Sequence, residues 1–254
     1  MEDERPAGEP AAQPIGETID RTDAEAVAPA GSMPRHAARD MLDRELREIK
    51  DDVLRMGSLV EEAITGAVDA LVRHDADAAL AVIVGDSRIN DMQRRVSTAI
   101  TMTIATQSPV ARDLRLLMAL DHVTYELERM GDHASSVAKQ ARKLAPLRPL
   151  KRYVHLPEMG QLVARQLHGI LRALVTIDEE AARRVAAADD DVDHLYRQIF
   201  DELIELMRAD PDNVDRGTRL LFAAYYTERI GDRVTDIAED ILFLSSGRVE
   251  DLNP

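Results

Sequence analysis

Five carboxylates stand at spacings suited to holding a cation. Glu128 and Asp132 are four residues apart, and Glu228, Asp232 and Asp236 repeat that step over two turns. Residues four apart on a helix share a face, so each set would present a line of anionic oxygens. Hard cations take clustered carboxylate oxygens, and one helical face can offer several to a single ion or to a small cluster. A solvated acidic face is the ordinary reading of one such pair. Its repetition, at a cost of about a few tenths of a kcal/mol per like-charged pair, is what favours metal. Arg129 and Arg229 stand three residues before Asp132 and Asp232 and could partly neutralise them. His133 is matched by Arg233 in the second set, so it is not a ligand common to both; it and His122 read as solvated side chains. The two sets are also unequal. Where the second continues with Asp236 and Glu239, the first has Ser136 and Lys139, with only Asp121 to restore charge. The expectation is two metal sites of unequal strength, the second the tighter.

Other chemistries find little support. The chain has no cysteine, which removes thiolate nucleophiles, disulfides and cysteine metal sites. It has no phosphate-binding glycine loop, no Gly-x-Ser-x-Gly elbow and no pair of Glu-x-x-His motifs. Nothing brings a nucleophile, a base and an orienting group together, so the expectation is a protein without enzymatic turnover. The rival readings are a metal-dependent, phosphatase-like enzyme and a metal-storage scaffold built on the same acidic faces. The net charge of −15 argues against binding nucleic acid through the overall field.

The carboxylates need helices to position them, and the sequence supplies helices throughout. Leu42, Leu46, Ile49, Val53, Met56, Val60, Ala63 and Ala67 step by three and four, one buried stripe on one helix. Asp75 and Asp178 read as N-caps, Ser108–Pro109 as a cap with proline at the first helical position, and Gly247 as a C-cap. Six helices are expected, at roughly 37–73, 76–106, 110–144, 156–176, 179–208 and 214–246. The third and sixth repeat at an offset of 100 residues. Leu120, Val123, Leu127 and Met130 answer to Leu220, Ala223, Thr227 and Ile230, and Glu-Arg-x-Gly-Asp occurs in both. A shared stripe plus shared polar identities indicates duplication. The fold is therefore all-α: two tandem antiparallel three-helix bundles, at 35–146 and 153–248. On α-helical geometry the carboxylate line falls nearly opposite the apolar stripe, so it is exposed or covered by another chain or the other half. Gly131 and Gly231 each cost about 1 kcal/mol relative to alanine inside a helix, which a close approach of a backbone or ligand would explain. Residues 1–34 lack periodicity; residues 1–32 carry eight acids, two arginines, four prolines and three glycines, and read as a disordered acidic tail. Met33 is an alternative start. No apolar run approaches the roughly 20 residues of a membrane span and no signal peptide is evident, so a cytoplasmic protein without a transmembrane segment is expected.

From about residue 35 to 248 the chain resembles the PhoU family. The resemblance is carried by Gln107-Ser108-Pro109-Val110-Ala111-Arg112-Asp113-Leu114-Arg115, by Glu126-Leu127-Glu128-Arg129-Met130-Gly131-Asp132-His133-Ala134 and by Glu228-Arg229-Ile230-Gly231-Asp232-Arg233-Val234-Thr235-Asp236-Ile237-Ala238-Glu239. It implies an acidic E/D-x-x-x-D motif on the last helix of each of two three-helix bundles. It also implies a surface multinuclear cluster of iron or zinc, or another divalent cation such as magnesium or manganese, held by Glu128, Asp132, Glu228, Asp232 and Asp236. Ser136 departs from the Asn or Asp common at its place. The implied role is negative regulation of phosphate uptake and phosphate signalling. A homodimeric adaptor would connect the ATPase subunit of the phosphate ABC transporter with the sensor histidine kinase of the phosphate regulon.

Overall fold

The structure, a computed structural model, describes residues 35–151 and 153–252. The acidic tail and the start at Met33 fall outside the described residues. The helices are α1 (Arg35–Arg73), α2 (Ala76–Gln107), α3 (Arg112–Leu144), α4 (His155–Thr176), α5 (Glu179–Ala187), α6 (Asp189–Ala209) and α7 (Val214–Ser246). A 3₁₀ turn, Pro211–Asn213, precedes α7, and there is no strand among the described residues.

Local chemistry sets most boundaries. The Asp75 carboxylate accepts from the Ala78 amide at 2.8 Å, and that of Asp178 accepts from the Ala181 amide at 2.9 Å. Gly247 ends α7 in the left-handed region at φ 71°. Two boundaries differ from expectation. Ser108 caps the C-terminus of α2, in the left-handed region, and its amide reaches the Ile104 carbonyl. Helix α3 begins only at Arg112, after Ala111 at φ 45°. A serine before a proline suits a helix start, but here the turn belongs to the helix before it. The fifth expected helix is divided at Ala188 into α5 and α6. The three acids that follow, Asp189, Asp190 and Asp191, fill the first turn of α6. Aspartate is a poor interior helix residue but is favourable beside the free amides of an N-terminus.

Helices α1, α2 and α3 pack on one another as one bundle; α4, α7 and the α5–α6 pair form the other. The halves meet along two helix pairs, α1 with α4 and α3 with α7, the latter the most extensive in the molecule. Gly57 on α1 faces Leu171 on α4, and Gly160 on α4 faces Val68 on α1. These two contacts are equivalents, since Gly57 and Gly160, like Val68 and Leu171, are separated by 103 residues. On the other pair, Glu126 meets Arg233 and His133 stacks on Tyr226. Position falls along α7 as it rises along α3, so the two run antiparallel. The duplicated halves are thus related by an approximate two-fold, as in a symmetric dimer. One apolar cluster runs through both, from Leu42 to Leu242.

Candidate functional site

Helix α3 is buried on several faces because α1, α2 and α7 all lie against it. Its carboxylate line therefore does not stand free. Glu128 and Asp132 are half-buried beneath α2, and Glu228 and Asp232 beneath α6. For these four carboxylates the expectation of an exposed line, or one covered by the other half, is corrected: the second helix of the same half covers them, and only Asp236 faces the other half. That helix brings its own acids. Burial and then Asp132 raise the Glu128 carboxyl, with Asp86 close enough to add to the rise; Asp86 is itself raised by burial and then by Asp132. Asn90 donates to Asp86 at 3.2 Å. In the second half, Asp189 and Asp193 of α6 stand in these places and act on Glu228 and Asp232. The pairs Asp86/Asn90 and Asp189/Asp193 are spaced four apart and separated by the same 103 residues as the caps Asp75 and Asp178. That second repeat was the signal available in the sequence, and sequence reasoning missed it by following only the third helices.

The motif glycines explain how the helices approach. A Cβ on Gly231 would sit 2.5 Å from Asp189 Oδ1, and one on Gly131 would sit 2.9 Å from Ile89 Cδ1 and 3.6 Å from Asp86 Oδ1. Glycine here makes room for the neighbouring helix and, in the second half, for its acid.

The electrostatics of the clefts are strained. Burial, followed by repulsion from Asp232, pushes Glu228 up to about 7. Burial, then Asp232 and Asp193, pushes Asp189 up to about 6. Asp86 Oδ1, Asn90 Oδ1, Asp189 Oδ1 and Glu228 Oε2 are buried without a hydrogen-bond partner. Buried polar atoms are normally paired, and carboxylates forced together in a poorly solvated cleft favour either a proton or a cation. Oxygen-only donors on two facing helices fit a hard cation. Among the described residues, no three Asp, Glu, His or Cys side chains already converge as a ligand set. Gathering them round an ion would need side-chain rotation, which half-buried carboxylates can make.

The five expected ligands divide. Glu128 and Asp132 lie in the first cleft, and Glu228 and Asp232 in the second. Asp236 lies one turn away, 3.0 Å from Arg233, at the junction between halves. Glu239 points elsewhere, accepting from the Leu252 amide at 2.9 Å. Ser136 donates to the Asp132 carbonyl of its own helix. Lys139 is close enough to Asp86 to oppose its rise. Arg229 pairs closely with Asp232, whereas Arg129 turns away to donate to the Tyr125 hydroxyl at 2.8 Å and stays 3.9 Å from Asp132.

The histidines are not simply solvated. His133 stacks on Tyr226 with centroids 5.9 Å apart, and burial, then Arg233 and Arg229, lowers it to about 4. His122 Nδ1 lies 2.7 Å from Asp240, and that hydrogen bond is the largest cause of a rise to about 9. Beside them Glu126, only 3% exposed, lies 3.2 Å from Arg233 and 3.4 Å from His122. This polar seam joins α3 to α7.

Fold and site define a class: internally duplicated helical-bundle proteins with an acidic cleft between the second and third helix of each half. The PhoU domain family model matches residues 53–141 and 156–241, and the chain belongs to the PhoU family. It is 36% identical over 216 residues to a phosphate-specific transport system accessory protein PhoU homolog of Clostridium acetobutylicum, covering 85% of this chain and 99% of that one. The corresponding homolog of Pseudomonas aeruginosa is 33% identical over 213 residues, covering 84% of this chain and 88% of that one. The crystal structure of PhoU from Pseudomonas aeruginosa superposes with a TM-score of 0.78 at 34% identity, over 81% of this chain and 99% of that one. The phosphate transport system regulatory protein PhoU from Streptococcus pneumoniae does so with a TM-score of 0.77 at 29% identity, over 83% and 99%. No helix among the described residues is long and apolar enough to cross a membrane.

Proposed function

We propose that this chain is a metal-binding regulatory adaptor of phosphate uptake, acting without catalytic turnover. The observation that carries this is the duplicated acidic cleft, set in a chain whose relatives are named as accessory proteins of phosphate-specific transport. Asp189, Asp193, Glu228 and Asp232 would hold the cation of the second half; Asp86, Asn90, Glu128 and Asp132 would hold that of the first. A bound cation would neutralise each cleft and fix the angle between its second and third helices. In this reading a cytoplasmic homodimer contacts the ATPase subunit of the transporter and the sensor kinase, and represses the starvation response when phosphate is plentiful. The test is deletion of the gene, with phosphate-starvation transcripts measured in phosphate-rich medium. Derepression that the intact gene reverses is expected, and an Asp189→Asn/Asp232→Asn variant should reverse it only in part. Unchanged transcripts would defeat the regulatory reading. Phosphate release from phosphomonoesters by the metal-loaded protein, abolished by those same changes, would turn the reading to an enzyme.

A further inference from the structure

One large cavity among the described residues lies away from the acidic clefts. It is an open groove of about 690 Å³ between the start of α1, the start of α3 and the far ends of α4 and α7. Its floor is apolar, made by Leu46, Leu116, Ile177 and Leu244. Five cations, Arg39, Arg44, Arg47, Lys50 and Arg112, stand round it against three acids, Asp40, Asp43 and Asp113. Arg39 holds both Asp43 and Asp113. Arg44, Lys50 and Arg112 have no ion-pair partner among the described residues. A chain of net charge −15 thus carries a groove with a positive excess at the junction of its two halves; a second positive groove, lined by Arg165, Arg172 and Arg184 against Asp178, lies between α4 and α5 of the second half alone.

We infer that this groove is the docking site of the chain's own acidic N-terminal segment, residues 17–27. The segment holds Glu17, Asp20, Asp23 and Glu25 against the single cation Arg21, with Ile19 and Val27 as apolar side chains for the floor. It is tethered where docking would need it, since α1 begins at Arg35 and Arg39 is one turn further on. The cations from Arg39 to Lys50 span about 16 Å of helix, at 1.5 Å per residue. Ten extended residues upstream of Arg35 reach roughly 33 Å, enough to double back along the groove. Tethering supplies an effective concentration on the order of millimolar, so pairing too weak to act between separate molecules still acts within one. Ordering the segment opposes docking, and salt screens exposed pairs. The docked state is therefore salt-sensitive. This inference is independent of the acidic clefts and of the proposed function.

The absence of cysteine allows a clean test on the full-length chain. A nitroxide on Thr22→Cys should broaden the methyl signals of Leu46, Leu116, Ile177 and Leu244 at about 50 mM salt, leaving Leu80 and Val84 of α2 sharp. The floor signals should lose about half their intensity or more, and recover at roughly 500 mM salt, where screening is strong. The triple change Arg44→Glu/Lys50→Glu/Arg112→Glu should abolish the broadening with helicity intact. Neutralising the segment by Glu17→Gln/Asp20→Asn/Asp23→Asn/Glu25→Gln should do the same without touching a helix. No broadening, even broadening over the whole surface, or broadening that survives both sets of changes would overturn the inference. So would broadening of an unlabelled-tail chain by a spin-labelled second copy, which would assign the groove to a neighbour's tail.

Discussion

Asp232 sits among more negative charge than Asp132. Around it lie Asp189, Asp193 and Glu228; around Asp132 lie Asp86, Glu128 and the neutral Asn90, with Lys139 close to Asp86. The inequality first read from Ser136 and Lys139 is deepened by Asn90 against Asp193, although Asp236 and Glu239 take other partners. More carboxylates raise affinity for a hard cation, while Arg229 on Asp232 works against it. Asp232→Asn should therefore remove more bound metal than Asp132→Asn, by elemental analysis and calorimetry; equal losses would contradict the asymmetry. The second cleft should also bind more tightly as pH rises. Glu228 at about 7 and Asp189 at about 6 hold protons that a cation must displace. Affinity should climb between about pH 6 and 8, with proton release measured in buffers of differing ionisation enthalpy. His122 makes a separate pH prediction, facing Asp240, Glu126 and Asp236. Its folded pKa is raised, so its stabilisation is complete below the unfolded value near 6.5 and is lost as pH rises through about 9. The side chain is 51% exposed, so screening discounts the effect to about 1 kcal/mol. His122→Asn should lower the melting temperature at pH 6 and leave it near that of the parent at pH 9.5.

At the scale of the element, Gly231 decides how closely α6 approaches α7. A methyl there meets Asp189 Oδ1 at 2.5 Å, whereas at Gly131 the nearest atom is the end of the flexible Ile89 side chain. Alanine gains about 1 kcal/mol of helix propensity at either site. Gly231→Ala should therefore leave stability within about 1 kcal/mol of the parent, the propensity gain offsetting displacement of Asp189. It should cost the second site about tenfold in metal affinity, since a ligand has moved; Gly131→Ala should cost the first site less. Titration of both variants with one divalent metal checks this. The glycines, the caps at Asp75 and Asp178 and the 100-residue repeat were legible because each is local. Less legible was the 103-residue repeat that carries Asp86 and Asp189, because a different connection length separates it from the register of the third helices. The break at Ala188 follows from three consecutive acids, which local propensity penalises in a helix interior. The burial of the carboxylates was not legible: a helical wheel shows which residues share a face, and tertiary packing decides what covers it. The same holds for His133, whose matching Arg233 lies 100 residues away yet reaches across the two-fold toward it.

At the scale of the whole molecule, the two bundles meet at a junction that is both apolar and charged. The apolar cluster is continuous across it, and α3 and α7 also share the Glu126–Arg233 pair. Glu126 is 3% exposed and raised chiefly by burial, against which Arg233 is the largest opposing influence. Removing one partner of a buried pair costs about 3–5 kcal/mol, because the other charge is left uncompensated, whereas replacing both by apolar groups is often near neutral. Arg233 is partly solvated, and His122 remains within 3.4 Å of Glu126. Arg233→Met should therefore cost about 2 kcal/mol, below that range. In a protein of this size that is a fall of about 4–8 °C in melting temperature. Glu126→Leu/Arg233→Met should recover most of the loss. Calorimetry should show one transition for the parent and for both variants, since the halves share a core and neither bundle can expose its side of the α3–α7 pair alone. Two separated transitions in the parent would mean that the halves fold independently, and the duplicated molecule would then be two domains rather than one.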